Sequence, residues 1–140
     1  MKIYLIVAVF SLGLITCALG EEPIGAMALT GRISDVKTDK DTVSLVFTGH
    51  ISFPVHGKRD TKLEINVENV LITIEELEKS ERVELEKKGK HDLTLREVSS
   101  ALDVRLRDGG TAVLVIVSPV VHFSEACAIE KIETKRIGVS

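Results

Sequence analysis

Apolar and polar residues alternate with a period of two along much of this chain. Within residues 42–53, Val43, Leu45 and Phe47 fall on one side, with Ser44 and Thr48 opposite. Leu63, Ile65 and Val67 likewise alternate with Glu64, Asn66 and Glu68, and 70–74 extends or follows that run. Successive side chains of a strand point to opposite faces, so both patterns predict strands with one covered face. Gly49 predicts a bulge or bend, with Val46 and Ile51 off the first face. A first strand is predicted at 28–36, ended by the polar turn 37–41. Residues 111–118 are apolar on both faces and read as a central strand. Pro119 punctuates it, and 120–132 continues the strand reading.

Two stretches break the period. Residues 75–90 place acid before base at Glu75–Lys79, Glu78–Arg82 and Glu84–Lys88 but carry few apolar residues. Such i, i+4 pairs support an exposed helix, while Val83 to Glu86 also alternates as a short strand would, so a solvated helical or mixed excursion ending at Gly89 is expected. Thr94 and Glu97 form a capping-box pattern ahead of Leu95, Val98, Leu102 and Leu106, and Gly109-Gly110 ends the segment. A helix is predicted over 94–106. Residues 124–137 fit either period: a helix capped by Ser124, or a strand through Cys127 and Ile129 with a break near Glu125.

The first twenty residues stand apart. Lys2 is followed by the apolar run Ile3 to Leu19, then Ala18-Leu19-Gly20 ahead of Glu21-Glu22-Pro23. Charge, apolar core and small residues before a polar start are the layout of a secretory signal. The expected organisation is a signal over 1–20, a lead-in over 21–27 and a single domain over 28–137, secreted or periplasmic. Two alternatives exist: retention as a membrane anchor, or lipidation at Cys17. Leu14-Ile15-Thr16-Cys17 resembles the bacterial lipoprotein box, with Thr16 where a smaller residue is usual.

Composition then narrows the function. The chain has 18 Lys and Arg against 21 Asp and Glu; losing 1–20 removes only Lys2 and moves the net charge from −3 to −4. The same loss takes Tyr4 and Phe10, leaving Phe47, Phe53 and Phe123 as the aromatics. Proteins that bind nucleic acid or sugars stack bases or rings on aromatics, nucleic-acid binders over basic grooves, so neither ligand is expected. Lys58-Arg59 and Lys87-Lys88-Lys90 are read as solvated loop charges. Cleavage after Gly20 leaves Cys127 as the one thiol, with no intrachain disulfide expected.

No catalytic, cofactor-binding or metal-ligating residue is assigned. His50, His56, His91 and His122 lack strong metal spacing. His122 lies five residues before Cys127, which on a strand puts the two on opposite faces, so a thiol nucleophile is not expected. Asp108-Gly109-Gly110 closes a helix, whereas a phosphate cradle opens one.

The order strand, strand, strand, helix, strand, strand, with Gly31 to Val36 opening and Gly49 bending the second strand, resembles small OB-fold domains. Their barrel is five-stranded and partly open, and the helix lies between the third and fourth strands. Leu95-Arg96-Glu97-Val98, Val113 to Ser118, Val121-His122-Phe123 and a helix reaching Ile137-Gly138-Val139 resemble instead the periplasmic α+β domain of the ExbD/TolR biopolymer-transport family. Ser118 stands where that family has an acidic residue, and 3–19 lacks its membrane aspartate. The barrel implies a non-enzymatic module binding a protein or small ligand through its loops; the alternative implies an envelope accessory anchored by its N-terminal helix.

Overall fold

The computed structural model describes residues 25–54, 62–89 and 93–140. The expected signal therefore lies outside the described residues, as do His56, His91, Lys58, Arg59 and Lys90. The class is mainly β. Among the described residues seven strands and two helices follow in order: β1 (Ala26–Thr38), β2 (Thr42–Pro54), β3 (Lys62–Glu75), α1 (Lys79–Lys87), α2 (Leu95–Arg107), β4 (Thr111–Val117), β5 (Val120–Phe123), β6 (Ile129–Thr134) and β7 (Arg136–Val139).

One sheet holds all seven strands in the order β5-β6-β3-β2-β1-β4-β7. Every ladder is antiparallel except β3 with β6. By this order the sheet is open, with β5 and β7 at its ends. Yet Lys135 alone separates β6 from β7. Moreover, Val120 opposite Glu133 and Val117 opposite Arg136 belong to one continuous register. β4–β5 and β6–β7 thus run as one long hairpin, interrupted at Ser118-Pro119 and at Lys135. The interruption has a local cause. Proline has no N–H to give the ladder, and Ser118 sits at φ 50°. Buried Thr134 fills the gap, its hydroxyl donating to the Val117 carbonyl at 3.0 Å and accepting from the Arg136 N–H at 3.1 Å.

The inner face of the sheet is the alternation read from the sequence. Val43, Leu45, Phe47, Ile51 and Phe53 of β2 are all buried, so Ile51 lies on the first face and not off it. On β3 the inward residues are Leu63, Ile65 and Val67, then Val70, Ile72 and Ile74. That change of parity follows from a bulge: Phe47 faces Val70 but Gly49 faces Val67, so β3 carries an extra residue there. Asn69 takes φ 52°, which asparagine tolerates, and its N–H donates to Thr48 Oγ1 at 2.9 Å. Without the extra residue one half of β3 would turn its apolar side to water.

Helix α2 forms as its cap predicts: the Glu97 N–H donates to Thr94 Oγ1 and the Thr94 N–H to Glu97 Oε1. It buries Val98 and Leu102 against β1, β2, β4 and β7. Each such aliphatic side chain contributes roughly 1.5–3 kcal/mol. Gly109 and Gly110, both at positive φ, then turn the chain into β4. Helix α1 buries no residue, as its charge pattern implies.

The fifth predicted strand, 120–132, needs correcting. Ser124 to Ala128 is a tight turn, which makes two strands of it. The Ala126 and Ala128 N–H groups donate to Ser124 Oγ at 3.2 Å, and Cys127 sits at φ 60°. A hydroxyl satisfying two turn amides is a common local turn device. The helical reading of this segment does not occur. β1 also starts two residues before the predicted domain boundary, at Ala26.

Candidate functional site

Opposed residues of antiparallel strands share a face, so the register of β1, β2 and β3 lays out their outward surface in rows. Thr30, His50 and Asn66 form one row; Ala28, Ser52 and Glu64 form the next. Arg32 and Thr48 flank them. These side chains surround one imidazole. His50 Nδ1 lies 3.2 Å from Asn66 Oδ1, and Nε2 lies 3.0 Å from Glu64 Oε1.

Both ring nitrogens face acceptors, an arrangement satisfied in full by the imidazolium, which has two N–H donors. The hydrogen bond to Glu64, then that to Asn66, raises the His50 pKa above the usual histidine value. A raised folded-state pKa means stabilisation that is present below the unfolded-state pKa and lost as pH rises through the folded one. The side chains are 44% and 61% exposed, so solvent screens the pair and the stability effect is a fraction of 1 kcal/mol. NMR titration of the His50 ring should give a pKa above about 6.5. Glu64→Gln should lower it; a pKa unmoved by that substitution would show that the pair does not hold the proton.

A second histidine pairs on the hairpin. His122 Nε2 contacts Glu133 Oε2, and Lys131 Nζ lies 3.7 Å from Glu133 Oε1. Chiefly through His122, this lowers the Glu133 pKa. An open cleft of about 380 Å³ adjoins it, lined by Glu75, Glu81, Ser118, Glu133, Lys135 and Arg136 among others. Lys135 donates to Glu81 Oε1 at 3.2 Å, which ties the β6–β7 corner to α1 and raises the Lys135 pKa.

The candidates from sequence separate accordingly. His50 and His122 lie on different ladders, each with its own carboxylate. Among the described residues, no group of three His, Cys, Asp or Glu is arranged to hold a metal ion. Cys127 is disulfide-bonded in the full-length chain, whereas the single thiol was expected of the chain cleaved after Gly20. Phe47 and Phe53 are buried. The Glu64 and Asn66 partners of His50 escaped sequence reasoning. Only the β2–β3 register, shifted by the bulge, brings them to it. No family model matches this chain, and neither does any curated protein or solved structure. No helix among the described residues is long and apolar enough to cross a membrane.

Proposed function

We propose that the chain is an exported, non-enzymatic binding module built as an OB-like five-stranded barrel. Its contact surface for a protein or small ligand is the outward face of β1, β2 and β3 around His50. The barrel reading rests on the pairing circuit. β1 pairs with β2, β2 with β3, β3 with β6, the β6–β7 strand with the β4–β5 strand, and β4 with β1. Helix α2 falls between the third strand of that circuit and the fourth, where this fold keeps its helix.

In such barrels the face of the second and third strands is a recurrent ligand surface. Fold analogy does not choose the ligand, so the choice rests on side chains. The observation that carries the reading is the row Thr30–His50–Asn66, a polar surface of short side chains with a positioned imidazole at its centre. Its aromatic neighbours Phe47 and Phe53 are turned inward, which leaves no stacking platform there for bases or sugar rings. The apolar leader fits an extracytoplasmic compartment.

The test is capture from the envelope and secreted fractions with the immobilised protein. A partner retained by the native protein and lost with Thr30→Arg or His50→Ala supports the reading. Equal retention by both variants moves the contact surface elsewhere.

A further inference from the structure

Along β3 the two edges differ. One edge pairs with β2 from Lys62 to Glu75, whereas the other pairs with β6 only from Leu71 to Ile74. Among the described residues, Lys62 to Glu68 therefore has one edge without a strand. On its inner side Leu63, Ile65 and Val67 are only half-buried although they pack on the core. On its outer side Lys62, Glu64, Asn66 and Glu68 are exposed. Free edges template the pairing of a further strand unless charge or irregularity blocks it. Here the bulge at Asn69 ends the free stretch but leaves the seven residues before it regular.

The charges on this edge specify an occupant. We propose that two copies of the chain pair antiparallel through Lys62–Glu68 of β3, about a two-fold axis at Ile65. In that register Lys62 faces Glu68 of the second copy, Glu64 faces Asn66, Leu63 faces Val67, and Ile65 faces its own copy. Both outer ends carry opposite charges, and the three half-buried apolar residues meet one another. A shift of two residues one way opposes Glu64 to Glu64; the other way it opposes Glu64 to Glu68. Like charges directly opposite are destabilising, and shifts by one residue would set inward against outward side chains. The contact is isologous, so it closes at two copies. It also continues the outward face, so that the two His50 sites share one surface.

The protein as isolated from the cells that make it should show a concentration-dependent monomer–dimer equilibrium by analytical ultracentrifugation. Glu68→Lys opposes lysines at both symmetry-related ends and should weaken the dimer about tenfold. Lys62→Glu should weaken it similarly by opposing glutamates. The double charge swap restores complementarity and should recover the dimer, which a variant that merely unfolds could not do. Amides 62–68 should gain hydrogen-exchange protection with concentration. A monomer at every concentration overturns the proposal. So does a dimer insensitive to Glu68→Lys, or failure of the double swap to restore a dimer that the single changes weaken. Protection of 62–68 at monomer mass would assign the edge to some other strand and equally overturn it. None of these outcomes bears on whether His50 contacts a ligand.

Discussion

Replacing Phe47 by alanine is expected to lower the free energy of unfolding by about 3–5 kcal/mol, the largest effect of any single substitution considered. Phe47 is fully buried in the centre of β2. Its ring lies beneath the paired Gly31 and Gly49 of β1 and β2: a Cβ built on Gly31 or Gly49 would lie 3.2 or 3.0 Å from Phe47 Cζ. The two glycines thus form the roof of the ring's pocket. Rigid backbone on that side resists collapse into the space left by the ring, so the cost includes a cavity as well as lost transfer free energy. Since domains of this size are stable by only about 5–15 kcal/mol, the variant would be marginal. Urea unfolding checks this. A loss below about 2 kcal/mol, the low end for large core truncations, would mean that the ring does not fill the core as described.

The second large effect comes from adding one carbon. Gly31→Ala is expected to cost about 1–3 kcal/mol or more, the range for overpacking a filled site. The new Cβ would stand 2.4 Å from the Thr48 carbonyl oxygen and 2.8 Å from the Gly49 Cα. Both obstacles are backbone, so no rotamer change relieves them, and the β1–β2 ladder itself must shift. Thermal unfolding monitored by circular dichroism measures the cost. Combining Gly31→Ala with Phe47→Leu tests the cause. If the ring were the obstacle, the smaller side chain would rescue the alanine; with backbone as the obstacle, the two losses add. Rescue by Phe47→Leu would refute the backbone account.

These two positions also show how far the sequence could be read. Phe47 was recognisable as inward from its alternation with Ser44 and Thr48, because a period of two follows from strand geometry alone. Gly31 was visible only as a glycine near a predicted hairpin. Its role needs Gly49 opposite it, and that pairing depends on register. The same limit applies to the candidate site. His50 could be placed on a strand, but its partners lie 14 and 16 residues away on β3. The turn at Ser124 to Ala128 showed in the sequence only as a break near Glu125, for a different reason. Its signal is one serine hydroxyl accepting two amides, and the surrounding residues continue a strand-like alternation through it.

What the sequence determined by itself is therefore local: most of the strand segments and their apolar faces, where α2 begins and ends, and that α1 stays in solvent. Each follows from side-chain periodicity or from groups a few residues apart. The tertiary structure decided the rest. It counted the extra residue at Asn69 that keeps both halves of β3 facing the core. It joined β4–β5 to β6–β7 in one register, and among the described residues it left the edge of Lys62 to Glu68 without a strand. It also brought Glu64 and Asn66 to His50. All of these are matters of register between distant strands, which many pairings of similar local sequence satisfy equally. Burial of one common core selects among them.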